Sequence, residues 1–169
     1  MNTVLAAWNN ADQAAALEPM LACCGARRWA QTMVELRPYI GIEALSLTAD
    51  QVWSAMEEED WLEAFACHPR IGERKTPVAA TQSAAWSQQE QSSTATAANE
   101  VLSDLAAANL LYEKRFGFTY IVCATGKNAD EMLAILRRRL SNDRASELHE
   151  SAEQQRQIMQ IRLGKWLVA

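Results

Sequence analysis

Apolar positions along the chain recur mostly at helical spacing, and interruptions are few. From Thr3 to about Leu21 the pattern predicts two short helices, broken at Asn9-Asn10 and ended near Glu18-Pro19, since proline is tolerated only in a first turn. About Ala26 to Leu36 carries Trp29, Met33 and Leu36 on one apolar stripe, which Arg37-Pro38 stops. Thr48-Ala49-Asp50-Gln51 reads as a capping box opening a helix through Met56 and the acidic Glu57-Glu58-Glu59-Asp60. Trp61 to Ala66 forms a further short helix.

Cys67-His68-Pro69-Arg70-Ile71-Gly72 must leave helical geometry, because a residue before proline is pushed towards extended backbone. Lys75 to Asn99 has a linker-like composition of Ala, Ser, Thr and Gln. Trp86 and the Ser87-Gln88-Gln89-Glu90 pattern favour a helix start there, running to about Phe116. Its expected buried side is Val101, Leu102, Leu105, Leu110 and Tyr112, with Gly117 where a terminating glycine belongs. Phe118 to Ala124 reads equally as an extended connector or a strand. Asn128-Ala129-Asp130-Glu131 is a capping box for a helix through Leu140, and Asn142-Asp143 caps a last helix to about Leu167.

Composition narrows the fold. Six Gly and four Pro in 169 residues fall well below the usual share of roughly 12%, which excludes a many-stranded β-sandwich. At this length one domain, residues 1–169, is expected: an all-α, single-domain bundle of about seven to nine helices with an extended connector near 118–125. A net charge of −5 would repel a phosphate backbone, so nucleic acid is not an expected partner. No apolar run approaches the ~20 residues of a membrane span, and Met1-Asn2-Thr3-Val4 lacks a secretory layout. The expectation is a cytoplasmic protein with no membrane partner. Cys23, Cys24, Cys67 and Cys123 form no CxxC pair and are expected reduced and mostly buried. His68 and His149 belong to no metal-ligand pair, so no metal site is expected.

Three places could carry chemistry. His68, on a rigid pre-proline loop beside Arg70, is an imidazole with an ordinary pKa near ~6.5 and could exchange protons at neutral pH; the bland alternative is a satisfied structural histidine. Ser87-x-x-Glu90-Gln91 is either a capping box alone or a helix start that also receives a ligand oxygen, with Gln91 adding a neutral amide. Arg162 shares an i, i+4, i+8 row with Ile158 and Trp166. Its guanidinium must snorkel out or be paired inside. His149 lies between Glu147 and Glu150 on what reads as an exposed polar face, and Arg137-Arg138-Arg139 as a salt-bridged face with Asp130, Glu131 and Asp143.

Taken together, Cys24-Gly25-Ala26-Arg27-Arg28-Trp29, Arg37-Pro38-Tyr39, Phe65-Ala66-Cys67-His68-Pro69-Arg70-Ile71-Gly72, Ser87-Gln88-Gln89-Glu90-Gln91, Tyr112-x-x-x-Phe116-Gly117-Phe118 and Ile121-Val122-Cys123-Ala124-x-Gly126-Lys127 resemble the OHCU decarboxylase family. OHCU is 2-oxo-4-hydroxy-4-carboxy-5-ureidoimidazoline. The resemblance covers essentially the whole chain, in order. It implies an all-α, cofactor-free enzyme of urate catabolism, commonly a homodimer, that converts OHCU to (S)-allantoin and CO2. Carried over residue by residue, it implies His68 as the catalytic histidine with Glu90 assisting, and substrate contacts from Pro69, Ser87, Gln91, the Tyr120, Ile121, Val122, Cys123 and Ala124 backbone, and Arg162. Ser92-Ser93-Thr94 departs from the family's usual small residues after the Glu-Gln pair, as does Gly25 where Ser is common.

The alternative is a helical protein-interaction module without activity, whose Trp-rich faces would be exposed. Of the few breakers, Pro69, Gly72, Gly117 and Gly126 fall around the His68 loop and the 118–125 connector. The interruptions are therefore expected to mark the active site.

Overall fold

A computed structural model describes residues 2–72 and 82–169. Among them are nine α-helices, one 3₁₀ turn and no strand: α1 (Thr3–Asn10), α2 (Gln13–Cys23), α3 (Arg27–Glu35), α4 (Ile42–Ser54), α5 (Glu58–Ala66), α6 (Gln82–Glu90), the turn Ser92–Thr96, α7 (Asn99–Phe116), α8 (Ala129–Arg139) and α9 (Arg144–Trp166). The all-α expectation holds. The chain divides into two compact units, one of Met1–Ala64 with Gln155–Ala169 and one of Phe65–Gln154.

The first unit is organised by tryptophan. Trp29 and Met33 of α3 are wholly buried, as the stripe predicts. The indole N–H groups would be costly to bury unpaired; Trp8 donates to the Ala16 carbonyl at 2.8 Å and Trp29 to that of Ala49 at 3.0 Å. The C-terminal part of α9 lies on α4 and α1. Gln160 donates to Asp50 at 2.8 Å, Arg156 pairs with Asp50 at 3.0 Å, and Trp166 meets Trp8 edge-on at 5.6 Å.

Three expectations here need correction. Pro19 lies inside α2 rather than ending it. Helix α4 begins at Ile42, with Gly41 at its N-cap, because the buried stripe Leu45, Ala49, Val52 and Trp53 starts before Thr48. The acidic run opens α5 instead of closing α4, which sets Glu58, Glu59 and Asp60 against the positive end of the helix dipole.

In the second unit α7 packs against α8. The buried face of α7 is Leu105, Ala108, Asn109, Tyr112 and Phe116, and it places two polar-tipped residues among apolar ones. Leu110, expected on that face, is exposed: it falls on the opposite side of the wheel from Leu105 and Tyr112. Gly117 ends α7 in the left-handed region at φ 81°, its N–H on the Glu113 carbonyl at 2.8 Å. The capping box Asn128/Glu131 is formed as expected, and Asp143 caps α9 through the Ser146 N–H at 2.9 Å.

Candidate active site

The His68 loop begins where Pro69 forbids another helical turn. The His68 N–H donates to the Phe65 carbonyl at 3.1 Å, closing α5. His68, Pro69 and Arg70 are half-buried and Ile71 is buried. Every following residue is held. Arg70 makes a two-pronged pair with Glu113, at 2.7 and 2.8 Å. The Ile71 carbonyl accepts from Asn109 at 3.1 Å. Gly72 has φ +80°, a conformation L side chains rarely adopt, and a Cβ there would touch Leu102 and Leu105 at 3.6 and 3.8 Å. Its N–H donates to Gln91 Oε1 at 3.1 Å.

That last bond joins the two motifs. Ser87 is buried and Glu90 half-buried, but both occupy the last turn of α6 rather than opening a helix. The capping-box reading of Ser87 and Glu90 is therefore corrected. Nor is there one helix from Ser87 to Phe116. The Thr94 hydroxyl donates to the Gln91 carbonyl at 2.8 Å, a local bond that competes with helix continuation at the Ser92–Thr96 turn, and the Ser93 hydroxyl donates across to the Lys127 carbonyl at 2.6 Å. Residues 75–81 of the segment read as linker or helix lie outside the described residues.

The connector 118–124 is neither helix nor strand, and Phe118 and Tyr120 through Ala124 are all buried. Its aromatic start packs on Tyr112, whose ring is 5.9 Å from Phe118 and 5.3 Å from Tyr120, and Phe65, three residues before His68, lies 5.5 Å from Phe118. With no ladder to join, its backbone turns to side chains. The Ile121 carbonyl accepts from Arg139 at 2.6 Å. The Cys123 N–H donates to Gln154 at 2.8 Å, and its carbonyl accepts from Lys127 at 2.8 Å. The proposed residues of the His68 loop, of α6 and of the connector thus belong to one unit, tied by Gly72–Gln91, Phe65–Phe118 and Ser93–Lys127–Cys123.

Arg139 and Glu147 depart from the surface placement expected of them. Both are wholly buried, whereas Arg137 and Arg138 pair at the surface with Asp104 and Glu150. Burial opposes the Arg139 charge, but its hydrogen bonds with Glu147 prevail and hold the guanidinium above its ordinary range. Burial likewise pushes the Tyr112 and Tyr120 phenols up, with Arg139 pulling the other way. His149 is exposed, as expected.

Arg162 belongs to the other unit. It is 3% exposed, so it does not snorkel, and it donates to the Ala22 carbonyl at 3.3 Å. Burial pushes the nearby Cys23 thiol up to about 12, against the pull of Arg162. Cys23, Cys24 and Cys123 are buried thiols and Cys67 is an exposed one. No group of three or more metal-ligating side chains exists among the described residues, and no helix is long and apolar enough to cross a membrane. Of the six tryptophans, Trp8, Trp29, Trp53 and Trp86 are buried and Trp61 and Trp166 half-buried, so the exposed Trp-rich faces of the interaction-module reading are not found among the described residues.

Sequence reasoning missed Asn109, Glu113, Arg139, Glu147 and Gln154. A signal existed for one pair: Arg139 follows Met132 and Leu136 in an apolar row, the same anomaly that marked Arg162.

A family model described as OHCU decarboxylase matches residues 9–164. The uric acid degradation bifunctional protein TTL of Arabidopsis thaliana is 38% identical over 144 residues, 85% of this chain and 44% of that protein. The 2-oxo-4-hydroxy-4-carboxy-5-ureidoimidazoline decarboxylase of Amia calva is 30% identical over 97 residues, 57% of this chain and 55% of that one. The chain thus spans about half the length of these curated relatives. Among solved structures, an OHCU decarboxylase crystallised in the presence of (S)-allantoin aligns with a TM-score of 0.77 at 34% identity, covering 90% of this chain and 99% of that one. An (S)-allantoin synthase aligns at 0.72 with 15% identity over 96% of this chain and 53% of its own, a likeness of fold alone.

Proposed function

The chain belongs to the OHCU decarboxylase family, and from that premise we propose that it decarboxylates 2-oxo-4-hydroxy-4-carboxy-5-ureidoimidazoline to (S)-allantoin and CO2 in urate degradation. The observation that carries the reading to a site is the Gly72–Gln91 hydrogen bond of 3.1 Å, which links the His68 loop to the segment bearing Ser87 and Glu90. Breaking the bond to the carboxylate releases CO2 and leaves an electron pair that the adjacent imine and ring carbonyl of the substrate can delocalise. The reaction therefore needs no electron sink from a cofactor. The protein has to orient the substrate, exclude water and manage a proton.

In this reading His68 acts as general acid/base at the C4 hydroxyl and carboxylate, and Glu90 holds its tautomer or shares its proton. Pro69, Ser87, Gln91, Arg162 and the 120–124 backbone receive the ring and ureido group and select the face that is protonated. Gln91 already uses its carbonyl oxygen on Gly72, which makes its amide N–H₂ the end offered to substrate. The enzyme works as a homodimer in the cytoplasm.

The test supplies OHCU generated in situ from urate and follows (S)-allantoin by circular dichroism. Wild-type protein should outrun the spontaneous reaction and give the S product, and His68→Ala should lose about 10²–10⁴-fold in rate. Wild-type protein no faster than the spontaneous reaction would sink the activity; a His68→Ala variant with unchanged rate and optical purity would sink the role of His68.

A further inference from the structure

Beyond the residues that would touch substrate, the structure assigns Arg139, clamped by Glu147, the role of positioning the 120–124 backbone on which the substrate ring is received. The inference rests on the decarboxylase reading for the identity of that ring.

Arg139 and Glu147 are both 0% exposed. A buried ion pair is a poor investment in stability alone, since apolar residues of like volume serve as well or better. What an apolar pair could not do is hold a carbonyl. Arginine offers five N–H donors in a rigid fork, and here they are divided. Nε donates to Glu147 at 2.8 Å and Nη2 to the Ser151 hydroxyl at 2.8 Å, both on α9, while Nη1 reaches the Ile121 carbonyl at 2.6 Å. The guanidinium also lies over the Tyr120 ring, 4.9 Å from its centroid.

Glu147 is fixed in turn. The Tyr112 hydroxyl donates to one of its oxygens, and Asn142 donates to the other at 2.9 Å. The position of Ile121 is therefore set by α7, α8 and α9 together. Two residues on, Gln154 and Lys127 take the Cys123 N–H and carbonyl. Val122 is thus bracketed by anchored peptides on both sides. A backbone receptor of this kind depends on such support, because displacement by about 1 Å is enough to cost large factors in rate.

The deciding variant is Arg139→Lys, which keeps the charge and loses the fork. Purified folded protein should show KM for OHCU raised by about tenfold or more with a smaller change in kcat, a reduced excess of (S)-allantoin, and faster amide exchange confined to the peptide spanning 118–125. Gln154→Ala, which releases only the Cys123 N–H, should move the same readouts by about fivefold, the net worth of one hydrogen bond. Should Arg139→Lys not fold, Ser151→Ala, which removes one of the acceptors that aim the Arg139 fork, should move the same readouts by a few-fold, and unchanged readouts there would overturn the proposal. Arg138→Ala, at the surface, should move none of them. A structural role alone would lower the melting temperature while KM, optical purity and exchange at 118–125 stayed at wild-type values, and that result would overturn the proposal. Amide exchange does not depend on turnover. A wild-type protein inactive on OHCU would thus remove the decarboxylase reading, while faster exchange in Arg139→Lys would still establish the backbone support.

Discussion

The His68 loop and the 118–124 connector are both irregular segments of the same unit, and they solve the same problem in opposite ways. The loop is half-exposed and turns side chains towards solvent; Asn109 and Glu113 of α7 and Gln91 hold it. The connector is buried, its backbone is the feature on offer, and its supports come from α8, α9 and Lys127. Solvent accounts for the difference. A peptide group near water loses little when a partner leaves, whereas one in the interior must be answered by a fixed donor or acceptor. The charged support of the loop accordingly lies near the surface, and that of the connector is enclosed.

If the contrast is real, the largest loss should come from the connector's support. Glu147→Ala would leave buried Arg139 with only the more distant Glu150 carboxylate, 3.9 Å from its Nε, and breaking a buried pair typically costs about 3–5 kcal/mol. Urea unfolding should report a fall of that size with little change in slope. A loss below about 1 kcal/mol would mean that water or a rearranged side chain reaches Arg139, and that the connector is no better enclosed than the loop.

Asn109 tests the inner edge of the loop. Its Nδ2 holds the Ile71 carbonyl, while its Oδ1, also buried, has no hydrogen-bond partner among the described residues. Asn109→Leu deprives the carbonyl, a cost of about 1–3 kcal/mol, but it also removes the unsatisfied oxygen, and the net should fall near about 1 kcal/mol. Since His68 lies three residues from Ile71, kcat/KM for OHCU should drop by about tenfold even so, by misplacement of the loop. A stability loss as large as that of Glu147→Ala would erase the distinction between the two segments.

Much of this is legible in the sequence, and what is not has a physical reason. Local signals held: Gly117 as a helix stop, the Asn128/Glu131 box, Asp143 as a cap, and His68 on a loop forced by Pro69. These depend on neighbours within a turn or two. The Ser87 and Thr48 boxes failed because S/T-x-x-E/Q recurs anywhere along a helix, and only the start of the buried stripe tells a first turn from a last one. Treating Arg137, Arg138 and Arg139 as one salt-bridged face misplaces Arg139, because successive helical residues are turned about 100° from one another. The partners of the irregular backbone were beyond reach: Gln154 for Cys123 and Asn109 for Ile71 are contacts between segments about thirty or more residues apart.

The smallest effect should come from the outer edge of the loop. Arg70 and Glu113 make a two-pronged ion pair, yet their side chains are 43% and 24% exposed. Water and salt screen such a pair, and exposed pairs contribute about 0.2–1 kcal/mol. Glu113→Gln keeps the shape and one acceptor oxygen while removing the charge, so unfolding free energy should change by less than about 1 kcal/mol. The wild-type advantage should shrink as salt rises, because only the charged pair is screened. Activity is the more sensitive readout, since Arg70 is two residues from His68 and loses its two-pronged anchor. A loss of several kcal/mol, insensitive to salt, would show that Arg70 is enclosed in the working protein, and the half-open loop and the closed connector would then be two versions of one design.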